Sequence, residues 1–349
     1  MKRFFVLAVS LLLAPVHFAQ TPASRSTTPT VQVGVLGLFH PREAIVTPRT
    51  GKSLVCAAGD QRLAVNDPIT FTLNGQHIAI KNQPWQTATV HCDDGQGVDS
   101  EFVVSIPGKL ARRYVGQLNI KASGTHLDVV VGMALETAVA SVVAAESPPG
   151  APLEALKAQA VAARSFLVAG RGRHRDFDFC DTTHCQFLRA PPHTQSPAAQ
   201  ATAATEGIVL TYQEKAFAAF YSSSCGGHTH SLQELGLPVR DYPYFAVPCF
   251  YCLRHPERWV SRIADADATD LAPTEQSRLE LSRKLGWKIL PGNSYASRHE
   301  DGSVILEGVG VGHGIGLCQR GAADMARNGA SFLEILEHYY PNTALRRLP

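Results

Sequence analysis

Residues 127–169 read LDVVVGMALETAVASVVAAESPPGAPLEALKAQAVAARSFLVA, and the fold class is decided here. Leu127-Asp-Val-Val-Val is strand-like, its β-branched residues following a Gly-containing turn. From Leu135 the period changes. Leu135, Ala138, Val139, Val142 and Val143 recur at i, i+3, i+4, i+7 and i+8, which puts them on one stripe of a helix over residues 135–146. The run Ser147-Pro-Pro-Gly-Ala-Pro152 must break that helix, because proline lacks the amide donor and clashes with the preceding turn. A second helix is predicted over 153–169, with Leu153, Leu156, Ala160, Ala163 and Leu167 on one face and enough alanine for close helix packing.

Upstream, the text is strand-like in short pieces: Val31-Gln-Val-Gly-Val-Leu, Ile69-Thr-Phe-Thr-Leu, His77-Ile-Ala-Ile, Phe102-Val-Val-Ser-Ile and Leu118-Asn-Ile-Lys-Ala, with Gly, Asp and Asn between them as hairpins require. Downstream, a short Ala-rich helix (198–206) precedes strands at 208–212 and 216–221. Helices are predicted at 275–285, 319–328 and 332–339, with a Gly-rich strand and loop at 308–316; the rest of 238–300 has no clear period. Strand and helix zones are partly segregated, so the class is α+β: a β-rich N-terminal part followed by a mixed helical and sheet core.

Hydrophobic residues make up 45% and charged residues 18%, which excludes a largely disordered chain. Lys+Arg 32 against Asp+Glu 30 leaves a formal +2, and Lys2 with Arg3 accounts for all of it. A chain without its first residues is therefore near neutral and has no basic field to hold nucleic acid. The basic start, the apolar run over 4–14 and the small residues around Ala19 describe a secretory signal peptide over 1–20, followed by a Ser/Thr/Pro linker over 21–30. The apolar run is shorter than the ~20 residues that span a bilayer. No cysteine follows it to carry a lipid. The expectation is export to the periplasm or cell envelope, with no transmembrane anchor in the mature form.

Export changes how the eight cysteines are read, since an even number in an oxidising compartment favours disulfides. Cys56 and Cys92 stand alone in the N-terminal part and are expected to pair. Cys249 and Cys252 form a CxxC that fits a local disulfide, half a metal site or a redox pair, and Cys318 stands apart. Cys180, His184 and Cys185 have side chains suited to tetrahedral zinc, which Cys225 or His228 could complete; a disulfide among Cys180, Cys185 and Cys225 is the competing reading.

Glu146 is the most informative single residue. It follows Val142 by four and Val143 by three, so a carboxyl falls on the apolar stripe of its own helix. It also ends that helix, where the macrodipole disfavours negative charge. Desolvation and dipole both push the pKa up, which is what a general acid needs to keep its proton near neutral pH.

The segment Glu146-(x)₇-Glu154-Ala-Leu-Lys-Ala-Gln-Ala-Val-Ala-Ala-Arg-Ser165 resembles the signature of the SpoIID/LytB family, the stage II sporulation protein D-like lytic transglycosylases of peptidoglycan. Three blocks follow in the family's order: Cys180-Asp-Thr-Thr-His-Cys-Gln186, Ala219-Phe-Tyr-Ser-Ser-Ser-Cys-Gly-Gly-His228, and Gly310-Val-Gly-His-Gly-Ile-Gly-Leu-Cys-Gln-Arg-Gly-Ala322. The likeness covers roughly 110–346, so the expected division is a β-rich region over 31–109 and a SpoIID-like catalytic domain over 110–349. In the last block the family often has Trp, Ser and Trp where this chain has Val311, Cys318 and Arg320, which puts sugar stacking at that loop in doubt.

The resemblance implies cleavage of the β-1,4 bond between N-acetylmuramic acid and N-acetylglucosamine with a 1,6-anhydro product, and places the catalytic glutamate at Glu146. Glu154, in the first turn of the next helix, simply complements the dipole there. His313 and Gln319 are read as polar groups offered to the glycan, with Arg164 and Tyr221 as further cleft residues; His313 as a donor to a neighbouring carbonyl carries equal weight. The resemblance also associates zinc with the Cys180 segment in some members, as a structural ion, with no cofactor required for catalysis. Expected partners are glycan strands and a cell-wall amidase. Two other classes compete: a non-catalytic wall-binding protein that stimulates an amidase, and a Cys/His peptidase using Cys318 or Cys225 with His313.

Overall fold

The computed structural model describes residues 29–349 apart from Asn82, Gln96, Arg240 and Asp270. The expected signal peptide and most of the linker lie outside the described residues, and Thr30 already opens a strand. Residues 30–134 form two sheets. One has seven strands in the order Phe179–Cys180, Thr30–Val35, Leu127–Ala134, Gln117–Ala122, Thr89–Asp93, Leu54–Ala58, Gln61–Val65. The other has six, in the order Leu110–Val115, Glu101–Ile106, Glu43–Pro48, Ile69–Asn74, His77–Ile80, Gln86–Thr87.

The inward faces follow the period of two: Phe102, Val104 and Ile106 are buried on one strand, Leu118 and Ile120 on another, and both sheets feed one core. Leu110–Val115 and Gln117–Ala122 pair with strands on the N-terminal side of residue 110, so the expected division there falls inside the sheets. The strands at 43–48, 54–58, 61–65 and 89–93, which show little pattern in the sequence, complete the sandwich. Cys56 and Cys92 are directly opposite each other on neighbouring strands and form the expected disulfide.

Leu127–Ala134 runs without a loop into α1 (Leu135–Glu146), so the sheet fixes where that helix starts and how it is aimed. After the Pro-rich break comes α2 (Leu153–Ala169), packed on α1 and on α3 (Pro197–Ala204). The predicted face of α2 is half of what is buried. Leu156, Ala160, Ala163 and Leu167 join the sandwich core, while Ala155, Ala158, Val161 and Ala162 join a second core, and Leu153 is exposed. A helix between two cores needs small residues all round, which is the physical reason for its alanines.

The second core is closed by the strand Ile208–Tyr212 and by two later helices, α6 (Gln319–Arg327) and α7 (Phe332–Tyr339). Between them lie α4 (Phe250–Arg254) and α5 (Glu275–Leu285). The antiparallel sheet Arg258–Ala264, Ser303–Val309, Ser294–Glu300 occupies the stretch that has no clear period and packs on α5 around Ile263, Leu281 and Leu306. The predicted strand 216–221 is two separate two-residue strands, Lys215–Ala216 and Tyr221–Ser222, which belong to different sheets.

The disulfide closes a loop with a sequence separation of 36. Loop-closure entropy of that size corresponds to about 2–4 kcal/mol. Replacing Cys56 and Cys92 together with alanine is expected to lower unfolding stability by that amount in a denaturant titration, with α-helical circular dichroism retained below the transition.

Candidate active site

Four chain segments meet at Glu146. The residue ends α1, at the turn enforced by the Ser147–Pro152 break, and keeps part of its surface open to solvent. The Phe187 amide N–H donates to its Oε1, and the Tyr221 hydroxyl donates to its Oε2. Its backbone carbonyl, one of the acceptors a helix end leaves unmatched, accepts from Gln319 Nε2 at 2.9 Å. Tyr221–Ser222 pairs in parallel with Leu317–Cys318, so the strand that delivers Tyr221 lies directly beside the residues that lead to Gln319. Gly316, at φ 68°, sits where a Cβ would come within 2.1 Å of the Phe220 carbonyl oxygen, so only glycine lets this loop press against the Tyr221 strand.

Burial pushes the Glu146 carboxyl above the usual carboxylate range, while the bonds from Tyr221 and Phe187 pull the other way. The Tyr221 phenol, itself raised well above its ordinary value by burial and by the neighbouring carboxyl, stays a neutral donor. Other carboxylates close in the sequence are engaged elsewhere. Glu136 pairs with Arg164; Glu154 accepts from Lys157 at 2.6 Å and from the Phe332 amide at 2.8 Å, which ties α2 to α7.

The segment that supplies Phe187 is itself a cluster of metal-type donors. Cys180, His184 and Cys185 come together as predicted, and the fourth member is His174, with all four donor atoms within 4.8 Å of one another. His174 Nε2 is 3.2 Å from Cys185 Sγ, and His184 Nδ1 is 3.7 Å from both Cys180 Sγ and Cys185 Sγ. Both cysteines are free thiols. Cys225 does not belong here. It lies with three other cysteines in the second core, and His228 packs against His230 instead. The donor loop is anchored to the sandwich: buried Asp181 accepts from Arg112 at 2.7 Å and from the Leu36 amide at 3.3 Å, and Asp178 accepts from the Gln32 amide at 2.9 Å. The sequence offers a signal for His174, the spacing His-(x)₅-Cys-(x)₃-His-Cys, although residue type alone also admits a fourth ligand from the more distant Cys225 and His228 block.

The blocks that converge on Glu146 are those on which the resemblance stands, and comparison with known proteins agrees. Residues 123–212 match the profile of the SpoIID family, described as "Stage II sporulation protein". The stage II sporulation protein D of Bacillus amyloliquefaciens is 28% identical over 78% of this chain and 94% of its own length. Residues 123–212 carry a SpoIID-family segment. An uncharacterised protein of Brachyspira hyodysenteriae is 29% identical over 65% of this chain and 70% of its own. The amidase enhancer of Bacillus subtilis is 24% identical over 57% of this chain and 39% of its own length. Together these relationships support a cell-wall-related role.

Not every polar residue expected in the cleft faces it. Arg164 is fully buried: its Nε and guanidinium nitrogen donate to the two oxygens of Glu136 at 2.7 and 2.6 Å, and it also donates to the carbonyls of Ile208 and Thr202. It locks α1 to α2 and α3, because an arginine on the inner face of a helix with no water can only be satisfied by such a set. His313 serves the backbone. Its Nδ1 accepts from the Ile315 amide at 2.9 Å, and its ring bonds to the Tyr221 backbone. Burial pushes its pKa down to about 4, so at neutral pH it is an uncharged strut between the Gly-rich loop and the Tyr221 strand. Tyr221 and Gln319 are the two expected cleft residues that touch Glu146. The Phe187 amide could not be found from side-chain identity, since any residue but proline carries that donor.

No helix among the described residues is long and apolar enough to cross a membrane. The buried pair makes a sharp stability test. Arg164→Ala leaves the half-buried Glu136 carboxylate with the Gly207 amide as its remaining donor and is expected to cost about 1.5–3 kcal/mol, the worth of a hydrogen bond to a charged group. A urea titration reads this directly, and a cleft residue would instead leave stability near that of the unaltered protein.

Proposed function

We propose that this chain is a peptidoglycan lytic transglycosylase in which Glu146 serves as both general acid and general base. The single observation that carries the reading is a largely desolvated carboxyl, raised in pKa and held by an amide and a phenol, with no second carboxylate bonded to it. Glycosidases that use water employ two carboxyls, one on each side of the bond. A lone carboxyl suffices when the attacking hydroxyl belongs to the substrate.

The protonated Glu146 gives its proton to the glycosidic oxygen as the bond from muramic C1 breaks, and N-acetylglucosamine leaves with a free 4-hydroxyl. Positive charge develops at C1 while the carboxylate is left behind, and the Tyr221 and Phe187 donors hold that carboxylate in place. The muramic 6-hydroxyl then bonds to C1 and returns its proton to Glu146. The product is a 1,6-anhydro end, no water is consumed, and the enzyme regains its starting protonation. Burial keeps the first proton on; the two hydrogen bonds keep the second state accessible.

His174, Cys180, His184 and Cys185 suit a structural zinc, whose chemistry is to cross-link the loop that carries Phe187. The site residues act without it in any step. Glycan strands are the substrate class in this reading, and export follows from the N-terminal sequence. A second reading, a wall-binding protein that stimulates an amidase, draws on the likeness to the amidase enhancer. The peptidase alternative loses its basis, because Cys225 and Cys318 face other sulfurs and His313 is bonded to backbone.

Glu146→Gln keeps the shape and an acceptor oxygen for the Phe187 amide, its NH2 can donate to the Tyr221 hydroxyl oxygen, and it carries no transferable proton. Anhydro-ended products in mass spectra of digested glycan strands are expected to fall by at least ~10²–10⁴, with glycan binding retained. Reducing ends in place of anhydro ends would mean hydrolysis. Retained binding without cleavage in the unaltered protein, together with a stimulated amidase, would favour the second reading. The same variant is expected to be no less stable than the parent above the pKa of Glu146. A carboxyl raised in the folded state contributes its stability at low pH and loses it as pH rises through that pKa, so removing the charge removes a cost.

Tyr221→Phe removes a bond that lowers the Glu146 pKa. The rate should drop about tenfold or more, the worth of a hydrogen bond to a charged group. The alkaline limb of the kcat/KM profile, where the acid form is lost, should move to higher pH. An unshifted limb would mean that the phenol does not touch the working carboxyl.

A further inference from the structure

Outside the Glu146 site, four cysteines turn their side chains toward one point. Cys225, Cys249, Cys252 and Cys318 are all buried, and their Sγ atoms all lie within 4.8 Å of one another; those of Cys252 and Cys318 are 3.6 Å apart. None is bridged. Four sulfurs bound at 2.3 Å to one tetrahedral ion are separated by about 3.8 Å edge to edge. We propose that these residues form a four-thiolate zinc centre, distinct from the His174 cluster.

The surroundings are built for it. Gly321, in the first turn of α6, sits where a Cβ would come within 2.5 Å of Cys249 Sγ and 2.0 Å of the Tyr339 hydroxyl, so glycine leaves room for both. The Tyr339 hydroxyl donates to Cys249 Sγ at 3.5 Å, and the Ser224 hydroxyl lies 3.6 Å from Cys252 Sγ. Such outer donors orient thiolates and spread their charge. Cys318 precedes α6, whose N-terminal end favours negative charge. The CxxC pair is 2% and 0% exposed, which denies a redox partner access and argues against an oxidoreductase. On binding, each thiol gives its proton to solvent and zinc takes four thiolates, so no oxidant is involved.

The placement gives the centre a task. Cys225 comes four residues after Tyr221, and Cys318 immediately precedes Gln319. The strands between them pair over only two residues each. A ladder that short cannot hold itself; the zinc pins both strands. It thereby sets Tyr221 and Gln319 as positioning residues. This last consequence rests on the Glu146 reading, while the metal assignment does not. The centre also accounts for Cys318 standing where the family often has serine.

The test uses the full chain as purified. Elemental analysis is expected to find about two zinc per chain, and zinc-edge X-ray absorption a mean shell of roughly three sulfurs to one nitrogen, the average of a four-sulfur and a two-sulfur, two-nitrogen site. Denaturing mass spectrometry without reductant should show the loss of two hydrogens only, from the Cys56–Cys92 bridge. One zinc in a two-sulfur, two-nitrogen shell, no zinc, or further hydrogens lost to bridges within the cluster would each overturn the assignment. After chelation, amide exchange should speed up in residues 219–226 and 315–320 while 101–106 stays protected. Unchanged exchange in the first two segments, or uniform loss across the chain, would overturn the pinning role. No glycan enters either measurement, so a failure of the transglycosylase reading is seen separately.

Discussion

A carboxyl at the end of a helix, taken out of water, must find its donors elsewhere in the chain, and the architecture around Glu146 meets that constraint. The helix cannot help, because its last turn presents only carbonyls. The carboxyl's donors therefore come from a loop tied to the sandwich by Asp181 and from a strand steadied by His313, while the first residue of α6 donates to the backbone carbonyl of the same residue. Each of these supports is itself a buried polar contact that would be costly to leave half made. The sandwich aims α1, the Arg164–Glu136 pair fixes α1 against α2 and α3, and the second core carries the remaining donors. Much of the molecule outside the Glu146 carboxyl serves to deliver three hydrogen bonds to one residue.

The half that carries Glu146 was more legible than the sandwich, for a physical reason. The helices 135–146, 153–169, 275–285 and 332–339 have the bounds expected from periodicity and breakers, because a proline or a capping residue acts locally. Strands 43–48 and 54–58 are set in part by partners farther along the chain, at 101–106 and 89–93, and Gln61-Arg-Leu-Ala-Val, an edge strand paired only with 54–58, carries no alternation of its own. The two-residue strand Tyr221–Ser222 exists only because Leu317–Cys318 lies beside it.

At the site, side-chain chemistry was readable and side-chain direction was not. Glu146 could be singled out from the stripe it interrupts. Arg164 lies on the same helix as the family signature, yet which way it points depends on Glu136, a turn-and-a-helix away in sequence but adjacent in space. The cysteines sort themselves the same way. By residue type Cys225 could complete the Cys180 block, whereas the fold joins Cys225 to Cys249, Cys252 and Cys318, and only tertiary structure decides between the two.

The bond from Gln319 to Glu146 spans 173 residues of chain. A polypeptide grows from its N-terminus at roughly 5–20 residues per second, so Glu146 exists for many seconds before the last partner of its backbone carbonyl has been made. Contacts of such long range form late, since the entropy of closing the intervening loop is lost before they give anything back. The site is thus one of the final parts of the molecule to assemble. A nascent chain, or one truncated ahead of α6, holds Glu146 without the frame that orients it, and a site built this way is incomplete until the chain is whole.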